Sequence, residues 1–411
     1  MNYLAFALAN RRFLSFGLLV AFFSSFGQTY FIAVFGPDIR AEFGLSHGAF
    51  GGYYAIGTTA SAICLIWAGR MIDRLDLRLL SAGVCLALTA ACAFMALVPA
   101  AWVLAPAIFA LRLTGQGLMS HTAMTSMGRY YEAERGRAIS VAMLGFPLGV
   151  AVFPALGVAL SGALGWRLAW AAIAAALAVF LVPLVLWLLR GHASRHRMFM
   201  ERSATDGQET PGGPVRRRQW TRAEVLRDPR FYLLSFAITA PSFIVTGLFF
   251  HQALVAAAKG WSLAWMATAF IGYTVGSICA NLVFGPLIDR YGARRLLAFY
   301  LLPLAAACLC IIPFDHALVA IAYTMLMGIS SGGGQTLIGA AWPEFYGVLH
   351  LGAIRAMVMS LSVVGSALSP AVLGWLIDLG VSIEAIAGAF LIYLAAAVGC
   401  IVLALRWRTE E

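Results

Sequence analysis

The chain has 411 residues, of which 62% are hydrophobic and only 11% charged, and its net charge is +10. A soluble domain of this length needs far more charge to cover its surface. Repeated apolar stretches of ~18 or more residues suit a bilayer, so the composition points to a polytopic membrane protein.

About twelve apolar spans follow one another between charges, prolines and glycines. They start near Phe13, Ala49, Leu79, Trp102, Ala138, Leu168, Phe231, Leu263, Leu296, Leu318, Ala356 and Ile383. In hydrocarbon each must satisfy its own backbone hydrogen bonds, so helices are expected. A closed barrel is the alternative, but runs this long lack the two-residue alternation a barrel needs. The first span is too long for a signal peptide and no small-x-small cleavage site follows it, so it is expected to remain as an anchor.

The expected fold is an all-α membrane protein with twelve transmembrane helices. Residues 1–190 would form an N-terminal bundle of six and residues 231–411 a C-terminal bundle of six. Residues 191–230, which include TDGQETPGGPVRRRQ, read as a flexible polar linker.

Taking the N-terminus as inside, cytoplasmic segments hold 24 of the 28 basic residues, and the outer loops hold only Arg40, Arg167 and Lys259. The positive-inside rule then places both termini in the cytoplasm of a bacterial-type inner membrane. Basicity thus reports topology, and no nucleic-acid partner is implied. The linker arginines read as solvated topology determinants within reach of anionic headgroups. All seven cysteines fall in predicted helices, which argues against a disulfide framework. Cys308 and Cys310, two apart on a helix, point roughly 200° away from each other, so packing is preferred to a soft-metal pair. Neither a metal nor a cofactor is expected.

Two charged phrases stand out: GRMIDRLDLRL from Gly69 to Leu79 and GPLIDRYGARR from Gly285 to Arg295, 216 positions apart. The same offset pairs Gly44 with Gly260, Ser46 with Ser262, Thr58 with Thr274 and Ser61 with Ser277. It also pairs Gly117 with Gly333, Tyr130 with Tyr346, Gly136 with Gly352, Gly149 with Gly365 and Pro154 with Pro370. An internal duplication explains this, and two like-oriented bundles related by an axis along the membrane normal are expected.

The doubled phrase resembles the G-x-x-x-D-R-x-G-R-R loop of the major facilitator superfamily, and the resemblance covers essentially the whole chain. Gly285, Asp289, Arg290, Gly292, Arg294 and Arg295 match it. The first copy keeps Gly69, Asp73, Arg74 and Arg78 but has Asp76 where a glycine is usual. The resemblance implies two pseudo-symmetric six-helix bundles and transport by alternating access. It places Asp73 and Asp289 near helix N-termini of the opposite half, where a carboxylate is worth ~0.3–1 kcal/mol. Asp73, Arg74, Arg78, Asp289, Arg290, Arg294 and Arg295 would then gate the cytoplasmic side. The alternative is that these charges merely fix loop orientation.

Arg112, in FALRLTGQGLMSHTA, is the only basic residue inside a span. Counted from Trp102, it lies about 15 Å along its helix, near the midplane. An arginine there costs at least ~2.5–3.5 kcal/mol on insertion scales, so it should face a cavity or a partner. Gln116 and Ser120 follow at four-residue spacing on the same face. The stretch resembles the superfamily's fourth-helix motif of an arginine and a Gln-Gly pair, although Gln116 and Gly117 come one position later than is common. Arg112 would hold a substrate anion or couple transport to protons; structural hydrogen bonding is the competing reading.

Other candidates for a site near the midplane are Gln28 and Tyr30 in the first span, His251 and Gln252 in the seventh, Tyr273 in the eighth and Gln335 in the tenth. Gly149, Pro154 and Gly157 resemble the glycine-proline motif of antiporters, and with Pro370 they are candidates for helix bending or close packing. The segment YYEAERGRAISVAMLGFPLG resembles the entry to the fifth helix of monocarboxylate porters and oxalate and formate antiporters. The acidic and arginine pair of animal monocarboxylate porters is missing from the eighth span, where Tyr273, Thr274 and Asn281 are the polar residues.

An enzyme is not expected. GLSHG, Gly44 to Gly48, matches a nucleophile elbow, but it joins two membrane spans, and Ser46 is expected to cap the second, as Ser262 would cap the eighth. Lys259 is the only lysine and lacks a phosphate-loop context, which excludes ATP drive. The expected function is secondary transport of a small organic anion such as a monocarboxylate, with protons as the candidate coupling ion and a monomer as the assembly. Efflux of a hydrophobic drug, metabolite or metalloid is the runner-up, and a transporter-like sensor is a third class.

Overall fold

The computed structural model describes residues 8–68, 75–131, 135–192, 220–347 and 351–407, and no strand occurs among them. Nine described helices are long and apolar enough to cross a membrane, or ten if the pair Arg11–Gly27 and Thr29–Phe43, bent by 46°, is one span. The bend falls at Gln28, whose extended backbone (φ −89°, ψ 151°) interrupts the helical run. Two expected spans differ from these nine. The region from Leu296 is divided between Ala293–Leu296 and Leu302–Cys310, with turns between them. Leu318–Tyr346 is one continuous helix of 29 residues, whose GISSGGGQT stretch dilutes its hydropathy.

Helix ends repeat one device. Gly44, Gly260 and Gly380 take φ of 61°, 67° and 83°. The next residue in each case donates back to the carbonyl five positions earlier: Leu45 to Arg40, Trp261 to Ala256 and Val381 to Leu376. Ser46, Ser262 and Ser382 then accept from the N–H groups of Ala49, Trp265 and Ala385. A left-handed glycine thus closes one helix and a serine opens the next. Ser46 and Ser262 are caps as their sequence contexts require, and the GLSHG match is a helix-to-helix turn.

Packing divides the described residues into two compact units, one from Met1–Phe31, Ala60–Gly149 and Leu160–Arg216, the other from Ile32–Thr59, Val150–Ala159 and Arg217–Glu411. In the second unit, Leu263–Tyr291 and Leu318–Tyr346 approach through small residues. A Cβ on Gly328 or Gly332 would lie 2.9 Å from the Cα of Tyr273 or Ser277, so only glycine allows this approach. The buried Lys259 ties three segments of this unit. Its Nζ donates to Asp315 at 3.0 Å and to the Ile312 carbonyl at 3.3 Å, and pairs with Glu384 at 2.8 Å. Burial opposes its charge, but the two carboxylates outweigh burial and raise its pKa.

The end of the predicted linker is ordered. Thr221 and Glu224 form a reciprocal capping box that starts the helix Arg222–Arg227. Asp228 caps Pro229–Phe250 and is paired with Arg230, a buried pair 2.9 Å apart.

Candidate functional site

In the first unit, the charged Arg112 is buried, only 2% exposed. It begins a π-helical segment, Arg112–Met119, inside the span Ala101–Met127. A π turn holds about one residue more than an α turn. The segment therefore absorbs the single extra residue that separates Arg112 from Gln116 and Gly117. It lies against Ser24–Gly27, where the first span breaks from regular α geometry.

Contact here is backbone on backbone. A Cβ on Gly27 would lie 2.7 Å from both the Gln116 nitrogen and the Gly115 Cα, and one on Gly115 would lie 2.6 Å from the Gly27 Cα. This approach lets the Arg112 guanidinium reach neutral acceptors across the crossing: Nη1 donates to the Gly27 carbonyl at 3.2 Å and to Thr29 Oγ1 at 3.4 Å.

Arg112, Gln116, Gln28 and Tyr30 therefore converge on one crossing, with Gln28 and Tyr30 both buried. The Tyr30 hydroxyl donates to Ser25 Oγ at 2.7 Å, and its ring meets Phe146 edge-on. Ser25 also receives the helix Gly145–Leu164, because Gly149 has no Cβ to strike it. Gly149 thus acts as a contact point. Its repeat mate Gly365 is set in the same way, since a Cβ there would lie 2.6 Å from Thr239 Cγ2. Gly157 is buried within the same helix as Gly149. Pro154 and Pro370 lie inside helices that continue through them.

In the second unit, His251 Nε2 lies 3.0 Å from the Pro370 carbonyl, which requires the proton on that nitrogen. Its ring is 5.7 Å from that of His47 and 5.1 Å from that of Phe250. Arg40, His47, Phe50, Phe250 and His251 border a cavity of about 20 Å³, room for about one water. Gln252 is buried at the start of the helix Gln252–Ala258. Tyr273 is buried, meets Phe249 edge-on at 5.2 Å and hydrogen bonds with Ser331. Gln335 is exposed.

The superfamily profile matches this chain in two segments, residues 17–272 and 233–411. The chain belongs to the Major Facilitator Superfamily. Among solved structures it is similar to a bacterial homologue of the human lysosomal transporter Spinster in an inward-facing, occupied conformation. That match has a TM-score of 0.70 at 17% identity and covers 100% of both chains. The inward-facing, unoccupied form of that homologue matches with a TM-score of 0.66, also at 17% identity, over 97% of each chain. Comparison with curated proteins finds no match. At this identity the likeness carries the fold, and family membership makes the chain an integral membrane protein of a transporter superfamily.

In this superfamily member the two copies of the charged phrase start the next helix differently. In the second copy Gly292, at φ 79°, opens Ala293–Leu296. Glu344 of the helix Leu318–Tyr346 accepts from Ala293 N at 2.8 Å and Arg294 N at 3.1 Å, while Arg294 Nη2 reaches back to the Glu344 carbonyl at 2.8 Å. In the first copy Asp76, at φ −56°, is itself the N-cap of Leu77–Ala96 and accepts from the backbone of Arg78 and Leu79. The glycine is unnecessary there because the aspartate caps its own helix. The Arg78 side chain is exposed, and Arg290 lies over the Tyr291 ring at 5.3 Å. Arg295 is in the last turn of Ala293–Leu296 and is exposed. Asp73, Arg74 and the Asp289 side chain lie outside the described residues. Sequence reading missed Glu344 and Asp378, because neither lies in a repeated phrase.

Proposed function

We propose that this chain is a secondary active transporter that moves a small organic anion, such as a monocarboxylate, by alternating access. The observation that supports this reading is Arg112: a guanidinium near mid-span, buried, and held in place by a carbonyl and a hydroxyl. A carbonyl and a hydroxyl orient the fork, an arrangement suited to bidentate recognition of a carboxylate. The offset of 216 pairs Arg112 with Gly328 and Gln116 with Gly332. The charged group thus belongs to one half alone, while the glycines of the other serve packing.

This reading includes twelve helices in two six-helix bundles, residues 1–190 and 231–411, with both termini in the cytoplasm and the linker between them. It also includes protons as coupling ion and a monomeric assembly. Asp73 and Asp289, with the arginines that follow them, act as the cytoplasmic latch. Asp73→Asn and Asp289→Asn are expected to slow transport by shifting conformational populations while the ranking of substrates stays the same.

The test is uptake and counterflow in proteoliposomes with a panel of carboxylates and lipophilic cations, with and without a pH gradient. Saturable carboxylate flux that falls at least about tenfold in Arg112→Ala, and is poorly restored by Arg112→Lys, is the expected result. Carboxylate flux unchanged in Arg112→Ala would remove the anion anchor. Indifference to carboxylates together with cation efflux would replace the reading with export of hydrophobic compounds.

A further inference from the structure

The first span opens with Arg11 and Arg12, and the span Trp166–Leu188 ends two residues before Arg190. These termini meet within the first unit, so three guanidinium groups gather where two membrane helices leave the hydrocarbon. With Ser15, Trp187 and Leu188 they line a cavity of about 500 Å³, in the range of small-molecule sites. Arg12 is the fixed member. Its Nη2 donates to the Trp187 carbonyl, and its guanidinium lies over the Trp187 ring at 5.2 Å. The side chains of Arg11 and Arg190 are exposed and make no hydrogen bond or ion pair among the described residues, although the Arg190 backbone N–H donates to the Trp187 carbonyl at 3.2 Å.

One further feature favours an anion at the bilayer surface. Trp187 is 51% exposed beside the arginines, which is the placement of an indole at the headgroup level of a bilayer. A soluble anion would need only the charges. A phospholipid also uses the apolar helix surface directly below them, where Phe180 is exposed about two turns before Trp187 on the same helical run.

We propose that Arg11, Arg12 and Arg190, with Ser15 and Trp187, form a binding site for the phosphodiester of an anionic phospholipid. Arg12 and Trp187 shape the site, and Arg11 and Arg190 close on the phosphate. The site is independent of the transported substrate and does not depend on which substrate that is.

The test uses the full chain in nanodiscs of phosphatidylglycerol or phosphatidylcholine, read by thermal denaturation, and native mass spectrometry of lipid retained by the detergent-purified protein. Phosphatidylglycerol should be retained and should raise Tm above the value in phosphatidylcholine. Arg11→Gln with Arg190→Gln should weaken its retention about twenty-five-fold, at about one factor of five per arginine near an anionic lipid. Replacing the linker residues Arg216, Arg217 and Arg218 by Gln should leave retention as in the wild type. Equal retention of the two lipids by the wild-type chain would overturn the proposal even if the double variant failed to fold. Loss of retention only in the linker variant would also overturn it. So would equal stabilisation by inorganic phosphate in a phosphatidylcholine disc, which would mark a site for the free anion.

Discussion

The Asp378 carboxylate accepts from the first two backbone N–H groups of the helix His47–Ala68, from His47 at 3.0 Å and from Gly48 at 2.7 Å. The residues are more than 300 positions apart, and glycine makes the approach possible. A Cβ on Gly374, one turn before Asp378, would lie 2.8 Å from the Gly48 Cα. A carboxylate on a helix N-terminus is the chemistry expected of the charged phrases, and here a residue outside both phrases supplies it. Asp378→Asn should lower stability by about 0.5–1 kcal/mol, and Asp378→Ala by more, since a neutral amide still accepts hydrogen bonds but does not answer the helix dipole. Thermal denaturation of the two variants in one lipid checks this order.

Gly27 and Gly115 should tolerate no side chain. Alanine at either places a methyl group against backbone and should cost about 1–3 kcal/mol, as overpacking does. A Cβ on Gly52 meets nothing within 4 Å, so Gly52→Ala should be neutral or stabilising by about 0.5–1 kcal/mol through helix propensity. Opposite signs for two Gly→Ala changes would be read directly from Tm.

Acid should weaken the second unit through His251, which lies just past the span Pro229–Phe250. Burial pushes its pKa down to about 4, and His47 and Arg40 add to the depression, while the Pro370 carbonyl and Asp378 oppose it. The folded state therefore favours the neutral ring. Its contribution is complete above about pH 6.5, where the unfolded side chain is also neutral, and is lost as pH falls from there toward 4. The loss should be on the order of 1–3 kcal/mol. His251→Gln should flatten the decline in Tm between pH 6.5 and 4.

Glu344→Ala and Asp76→Ala should each cost about 0.5–2 kcal/mol, because each removes the acceptor for two N–H groups at a helix start. The two should differ in coupling. Glu344→Ala should show a coupling energy with Arg294→Ala, since the two residues share one hydrogen-bonded cluster, whereas Asp76→Ala should add to it. A double-mutant cycle on Tm-derived free energies distinguishes the cases.

Much of the fold was legible because a bilayer simplifies the problem. Apolar runs of spanning length must be helices, so Leu77–Ala96, Trp166–Leu188 and Ile383–Arg406 lie close to where composition alone puts them. The serine caps were legible for a similar reason, since Ser46 and Ser262 stand beside the glycines that end the preceding helices. The division of the helix after Arg295 was not legible. Its residues are apolar throughout, and hydropathy cannot register a turn satisfied within the fold. The π segment at Arg112 left one trace in sequence, a Gln-Gly pair one residue late, but its position depends on Gly27 pressing against Gly115 from another helix.

By itself the sequence determined that this chain is a helical membrane protein with a duplicated phrase, because hydrophobic length and charge placement are properties of each segment taken alone. Tertiary structure decided which groups meet. Arg112 reaches Thr29 only because two glycines let the helices touch, Asp378 finds Gly48, and the arginines at two helix ends enclose one cavity. Those contacts join residues far apart in the chain, and their geometry follows from how closely two backbones can approach, which no local pattern encodes.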